Sequence, residues 1–408
     1  MKVINQKGFT LVELLVAAAL GIVLLSIVVA IFFSSRTAQR VAQGVSESQE
    51  ATRFSMHFLK RDIRLAGYKD CAANQVYSHV ALDDDKDTMP LSVDTGIFGW
   101  EFAGTDVGDT YTLDYDEPDS NSPTANEVET IRTANTANAN SWTGDYIRGI
   151  PGTPQERDLP ATIAGFSPLA GSDIISISIS EQQKMGIQRP FNQINAVLNT
   201  VTTFGSATNP ASLFEPAATV SGLQQGQILQ VGDCEGVQIF QNSAEETDDF
   251  ISIGSGGDPG NILEGFTWPK LFDEHSNVYA TTTRVYFVGT GAAGIPSLFV
   301  YESDCGFNLN CGASQVALVS GVENMQILYL LRDPSSGVNQ FVSADDVNDF
   351  RDVRAVKLSL LIRSIESSLD APLDQTFNLN DEIAIEVPED TNQHSMTTTT
   401  VYLQNRGL

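Results

Sequence analysis

Basic residues are scarce in this chain: 23 Lys and Arg stand against 51 Asp and Glu among 408 residues, for a formal net charge of −28. The imbalance lies beyond residue 66. Residues 1–66 hold eight Lys and Arg against four Asp and Glu, a net +4, which leaves −32 on the remainder. A body this acidic repels nucleic-acid phosphates, so direct nucleic-acid binding is not expected. Histidine is rarer still, with four residues (57, 79, 275 and 394) scattered along the chain. That is little raw material for acid–base chemistry. No G-x-S-x-G elbow and no H-E-x-x-H pair occurs, and the glycine-rich stretch 254–260 lacks the Lys and following helix of a phosphate loop. No catalytic residue is assigned, and an enzyme is not expected.

Cysteine is also sparse, with Cys71, Cys234, Cys305 and Cys311. None is spaced as CxxC and no histidine accompanies them, which disfavours zinc. Four cysteines in an exported chain suggest two disulfides, with three pairings open. Cys305 and Cys311 enclose a short Gly/Asn-rich loop and suit a local pair. Cys71 and Cys234 would then staple the end of an N-terminal stalk to the body. Among the acids, Asp83, Asp85, Asp87 and Asp94 fall at positions 1, 3, 5 and 12 of a calcium-loop spacing. Thr88 stands where that loop requires Gly, and Pro90 follows, so a solvated acidic turn is the preferred reading. Calcium stays as the one cofactor candidate, and no other cofactor or metal is expected.

Proline is absent before Pro90, and Arg and Lys are absent from residues 8–35. What fills that gap is an apolar run from Phe9 to Phe33, interrupted only by Thr10, Glu13, Gly21 and Ser26. As a helix it would be about 37 Å long, sufficient to span a bilayer. Lys2 and Lys7 precede it and would stay in the cytoplasm. A secretory signal has a shorter apolar stretch and a small-residue cleavage site behind it. Glu13 is the informative residue. A lone carboxylate this deep in lipid costs roughly 2.5–3.5 kcal/mol, which marks a partner or a function. With no cation in the run, a candidate partner is a new α-amino group made by cleaving after Gly8, which would lie on Phe9, four residues from Glu13.

A short basic leader ending in Gly8, followed by Phe9-Thr10-Leu11-Val12-Glu13-Leu14-Leu15-Val16, resembles the type IV prepilin signature. The resemblance implies that a membrane prepilin peptidase cuts between Gly8 and Phe9 and N-methylates Phe9. It also implies that Glu13 pairs with the Phe9 amine of a neighbouring subunit during assembly.

Helical periodicity continues past the apolar run. A stripe of Val41, Val45, Thr52, Met56, Leu59, Ile63 and Ala66, flanked by Phe54 and Phe58, predicts one helix from about 9 to 66, with Gly67 as its stop. The opposite face carries Arg36, Arg40, Gln43, Glu47, Glu50, Arg61 and Arg64, and the Lys60–Arg64 cluster reads as a solvated or salt-bridged face. Residues 72–170 are polar and read as an irregular insertion of loops and short strands. Residues 171–408 are mainly β, with candidates at 173–180, 227–231, 236–241, 281–289, 297–301, 315–319, 322–331, 353–363 and 396–404. Turn residues rather than helices separate them, which argues for an antiparallel sheet.

Arg61-Asp62-Ile63-Arg64-Leu65-Ala66-Gly67-Tyr68, a cysteine soon after, Gly232-Asp233-Cys234 before a strand and the closing Thr400-Val401-Tyr402-Leu403-Gln404-Asn405-Arg406 extend the resemblance to PilW-type minor pilins. These in turn resemble the J-type minor pseudopilins of type II secretion. The expected fold is α+β and pilin-like: a long N-terminal helix packed on an antiparallel sheet, with a large loop-rich insertion. The expected organisation is a leader (1–8), a transmembrane and filament-core helix (9–33), its amphipathic continuation (34–66) and an exported acidic domain (67–408). The resemblance implies a minor pilin that primes assembly and sits near the tip of a type IV pilus serving twitching motility or adhesion. Its partners would be other minor pilins, the major pilin, prepilin peptidase, the inner-membrane assembly machinery and a tip adhesin. It would reside in the bacterial inner membrane, C-terminal domain in the periplasm, before entering the filament. A minor pseudopilin of type II secretion and a membrane-anchored adhesin with a pilin-like signal are the alternatives.

Overall fold

The structure, a computed structural model, describes residues 11–69, 76–78, 80, 92–113, 115–116, 131–132, 142–143, 145–146, 155–156, 159–186, 202–204, 223–247, 251–254, 257, 260–261, 276–303, 314–332 and 337–404. Leu11–Leu65 forms one helix, α1. No Pro interrupts it, and at 1.5 Å per residue it is a rod about 80 Å long. It ends where the chain turns left-handed at Gly67 (φ +64°), whose N–H donates to the Ser178 carbonyl at 3.0 Å. Gly96 (φ +78°) backs onto this turn so closely that a Cβ there would sit 2.5 Å from the Gly67 Cα. Two glycines are needed because two left-handed backbones meet at one point.

The strands used below are β1 (Ile97–Phe102), β2 (Thr110–Thr112), β3 (Ile174–Gly186), β4 (Ile228–Asp233), β5 (Gly236–Gln241), β6 (Asn277–Thr290), β7 (Pro296–Ser303), β8 (Ser314–Ser320), β9 (Val322–Arg332), β10 (Asn339–Val342), β11 (Ala355–Arg363), β12 (Leu373–Leu379), β13 (Ile383–Asp390) and β14 (His394–Tyr402). Among the described residues they form three principal sheets. The largest has nine strands, with β5-β4-β6-β3-β1 at its centre. In it the long β6 pairs with β4 through its first half, with β7 through its second, and with β3 along the opposite side. A second sheet runs β10-β9-β11-β14, antiparallel throughout. A third runs β12-β13-β2. Most pairings are antiparallel, as the turn-rich connections lead one to expect. Two are parallel: Val76–Ser78 with β5, and β13 with β2.

Period-two patterning decides which core each strand face joins. In β11, Val356, Leu358, Leu360 and Ile362 enter the main core beside Met56, Leu59 and Ile63 of α1. Leu361, on the other face, joins Leu379, Ile383, Ile385 and Val387 of the third sheet. The second sheet is therefore covered on both sides, by α1 and the large sheet on one and by the β12–β13 hairpin on the other. That double covering explains why β9 and β11 are buried almost throughout instead of alternating between buried and exposed. Within the stretch expected as loops and short strands, Ile97–Phe102 is a wholly buried strand carrying Phe98 and Trp100 into the main core.

Candidate assembly site

The lower part of α1 is apolar on every side, and none of its most hydrophobic 18-residue window (mean hydropathy 3.1) is buried in the protein. All residues from 11 to 33 are exposed, so this segment is long and apolar enough to cross a membrane. Glu13 lies in the first described turn of α1. Gly8 and Phe9, the expected cleavage and methylation positions, lie outside the described residues.

The upper part of α1 is built to dock. The buried residues are Gly44, Ser48, Ala51, Ser55, Met56, Leu59, Asp62 and Ile63. This differs from the expected stripe: Val41, Val45 and Thr52 are only half-buried and Phe54 is exposed. The reason is closeness of approach. Between 44 and 55 the contact face consists of small residues at spacings of four, three and four, so the helix backbone can come near the body. A Cβ on Gly44 would already lie 3.1–3.2 Å from Ser368 and Ser364. Larger residues take over above, where the helix reaches the open core.

At the top of this face Asp62, which has no exposed surface, is the centre of a charge network. Its carboxylate accepts from the Arg284 guanidinium at 3.0 Å, from the Tyr286 hydroxyl at 2.5 Å and from Arg61 Nε at 2.9 Å. Arg284 also donates to Glu302 at 2.6 Å. Arg284 and Tyr286 are two residues apart on β6 and therefore share a face, so one strand presents both donors to one helix carboxylate. Burial pulls the Arg284 guanidinium down, but the charges and hydrogen bonds of Asp62 and Glu302 together outweigh it and the net shift is upward. Burial and then the same carboxylate push the Tyr286 phenol upward. The network is a latch between helix and sheet. Removing either member of the Asp62–Arg284 pair leaves the other in a largely buried setting with only its weaker partners, at a cost of about 3–5 kcal/mol. The Lys60–Arg64 cluster was expected to be a solvated or salt-bridged face, and Asp62 is its inward member. A signal was available: an Arg and a Tyr at i, i+2 in the apolar strand 281–289 need a buried acid opposite them.

Two further clusters of buried titratable groups hold the sheets together. Asp173, at the start of β3, accepts backbone N–H bonds from Phe102 at 3.3 Å and Ile327 at 2.7 Å, tying β1 and β9 to β3. Burial raises its pKa to about 8. Glu101 is raised as well, by burial and then by Asp173, so this pair carries fewer than two charges at neutral pH. In the second cluster His394 Nε2 lies 2.8 Å from Glu323 and 3.4 Å from Asp390, all three fully buried. Burial lowers the imidazole pKa, but the Glu323 hydrogen bond and charge outweigh it, and the net shift is upward.

The remaining expected site residues are dispersed. Cys234 occupies the tight turn between β4 and β5 and is half of a disulfide. The Asp233 side chain shapes that turn by accepting from the N–H groups of Glu235 and Gly236. Cys71, Cys305 and Cys311 lie outside the described residues, as do Asp83, Asp85 and Asp87. Asp94 falls in the single helical turn Ser92–Thr95. Among the described residues no group of three or more His, Cys, Asp or Glu is placed to hold a metal.

Comparison with known proteins finds two family profiles. Residues 4–31 match the prokaryotic N-terminal methylation motif, and residues 285–405 match type IV pilus-assembly protein W. The second match runs from the last part of β6 through β14, the part that supplies Tyr286 of the latch and the whole second sheet, on which α1 rests. No curated protein matches the chain. Among solved structures, a type IV-like pilin from Thermus thermophilus, TTHA1219, aligns at 14% identity over 48% of this chain and 91% of its own, with a TM-score of 0.21. That score is too low to carry an argument about the fold. The chain is thus similar to prepilins along its exposed N-terminal helix, through the methylation motif, and to type IV pilus-assembly protein W along the sheet that holds that helix.

Proposed function

We propose that this chain is a minor pilin. Prepilin peptidase cuts after Gly8 and methylates the new amine of Phe9. The segment 9–33 then holds the protein in the bacterial inner membrane with the acidic body in the periplasm. During assembly α1 enters the filament, where the protein joins other minor pilins, primes growth of the major pilin and sits near the tip, in reach of a tip adhesin and of the inner-membrane machinery. Glu13 pairs with the Phe9 amine of a neighbour and sets the stagger between helices. The observation that carries this reading is the unbroken helix that is bare along 11–33 and latched to its own body above. Such a rod can exchange lipid for other helices without disturbing the head. The bulk of that head, with its nine-stranded sheet and inserted segments, supports a terminal position, since it would crowd neighbours along a shaft.

The experiment is mass spectrometry of the N-terminal peptide from membrane and sheared-filament fractions. An N-methylated Phe9 terminus in the filament fraction is expected. An intact Met1 confined to the membrane would overturn the reading, and incorporation of Glu13→Gln at the wild-type level would remove the pairing with Phe9. Two disulfides, Cys305–Cys311 and Cys71–Cys234, are proposed alongside; peptide mapping under non-reducing conditions tests them. For the acidic turn at 83–94 we propose no bound cofactor, so added calcium should leave the melting temperature unchanged.

A further inference from the structure

On the side of α1 turned away from the core, Arg53, His57, Lys60 and Arg64 follow one another at spacings of four, three and four residues, which aligns them in a single stripe. With Arg61 they line a groove of about 690 Å³ whose other wall is Thr397 and Gln404, at and just beyond β14, and whose apolar lining is Met56 and Leu65. No acid lines this groove. Arg53, Lys60 and Arg64 form no ion pair with any described residue, whereas Arg61 is engaged by Asp62. Like charges three and four residues apart work against the helix that carries them. The stripe is thus a concentration of positive charge without an internal counterion, on a protein whose remaining surface belongs to a segment of net charge −32.

The groove runs beside a sheet edge. β14 pairs with β11 on one side, and no described strand pairs with its other side. Its side chains at Met396 and Tyr402 are exposed. An open edge offers backbone N–H and C=O groups to an extended chain. The geometry points to this groove as the docking site for an extended, carboxylate-rich segment of a neighbouring subunit, with carboxylates meeting Arg53, His57, Lys60 and Arg64 and the backbone lying along β14.

Charge complementarity selects this occupant. The acidity that the groove lacks is what this chain's own body carries, −32 beyond residue 66, and a subunit of like composition would supply it. Arg53 lies about 30 Å beyond Phe33 along the helix, too far to sit among lipid headgroups when 9–33 spans the bilayer. A long polyanion such as nucleic acid would meet the repulsion of the whole body, while a short acidic segment meets only the groove. That the segment belongs to another subunit rests on the minor-pilin reading above. The preference of the groove for carboxylates does not.

The test uses the full chain in neutral detergent micelles and a fluorescein-labelled polyglutamate peptide, followed by anisotropy. Saturable binding that weakens with added salt is expected. The variant R53Q/K60Q/R64Q should bind about tenfold or more weakly, with an unchanged unfolding midpoint, while Arg351→Gln, on a distant exposed turn, should bind as the wild type does. In cells the same triple variant should be methylated on Phe9 yet depleted from sheared filaments. Absence of saturable binding, equal affinity of the triple variant, or tighter binding of a DNA oligonucleotide to the same residues would overturn the assignment. Loss of peptide binding in the variant with no methylated Phe9 in any fraction would keep the groove and remove the pilin reading instead.

Discussion

Residues 11–33 and 44–63 belong to one unbroken helix, yet every residue of the first stretch is exposed while eight of the second are buried against the body. The exposed stretch is the more hydrophobic of the two. The buried one contains a glycine, two serines and an aspartate. Hydrophobicity alone therefore does not tell which half of this helix packs inside its own chain. On the proposed function the lower half is apolar because it faces lipid or other helices, where uniform apolarity suffices. The upper half must fit one particular surface, so it trades bulk for close approach and adds a buried ion pair that accepts only one register.

The largest expected effect comes from breaking the latch. Asp62→Ala leaves the Arg284 guanidinium with Glu302 alone, Arg284→Leu leaves the buried Asp62 carboxylate with Tyr286 and the half-exposed Arg61, and each should cost about 3–5 kcal/mol of head stability in urea titrations of the full chain. Cleavage and methylation at the other end should proceed normally in both variants. If the double variant is no worse than either single one, the pair acts as a unit, as the geometry requires. A somewhat smaller loss separates two leucines of the same helix. Leu59 has no exposed surface and Leu24 is 64% exposed. Leu59→Ala should destabilise the head by about 2–5 kcal/mol through lost burial and a cavity, whereas Leu24→Ala should leave head unfolding unchanged. Equal effects would mean that the lower half contacts the body after all.

Titration should also act on one half alone, because the shifted groups described above all lie in the head or its latch. His394, with a raised folded pKa, contributes stability that is fully present below its unfolded value of 6.5 and is lost as pH rises through the folded value. Asp173 acts in the same direction: its folded pKa of about 8, against 3.8 for the free group, means the folded state holds the extra proton. Stability therefore falls as pH rises between those two values. The head should be less stable at pH 9 than at pH 6 in denaturant titrations, and His394→Gln should flatten the upper part of that slope. Helicity of the 11–33 segment in micelles should not follow.

Much of this division was legible in the chain. The helix expected over 9–66 is observed over Leu11–Leu65, and Gly67 does stop it. The strands at 281–289, 322–331 and 353–363 were visible because they are apolar and β-branched over many residues. The hairpin formed by β12 and β13 was not, because it lies at the surface with the alternation broken by charges and by Pro388. Its one clear signal is Asn380-Asp381, both at positive φ, a turn pair that favours a hairpin. Ile97–Phe102 was hidden by its acidic surroundings. The upper docking face of α1, at Met56, Leu59, Ile63 and Ala66, is buried as expected, but below it the face was drawn one residue off, at Val45 and Thr52, because small residues carry no hydrophobic signal, although Gly44, Ser48, Ala51 and Ser55 keep helical spacing as faithfully as leucines would. Asp62 was masked by the three basic residues around it, Lys60, Arg61 and Arg64: sequence shows a charged cluster, and only the fold shows which member turns inward.

Glycine provides the smallest and most discriminating comparison. Gly44 in the upper half has Ser364 and Ser368 within 3.2 Å of where a Cβ would lie, whereas Gly21 in the lower half has nothing within 4 Å. Replacing a helix-interior Gly by Ala adds up to about 1 kcal/mol of helix propensity at either site. At Gly44 that gain is opposed by crowding, and Gly44→Val, with a larger side chain and no propensity advantage over Ala, should destabilise the head by about 1–3 kcal/mol. At Gly21 no crowding opposes it, so Gly21→Ala should raise the helicity of the lower half in micelles and leave the unfolding midpoint of the head where it was. A drop in head stability from Gly21→Ala would show the two halves to be coupled through the rod, and the latch would then be only part of what fixes the helix to the body.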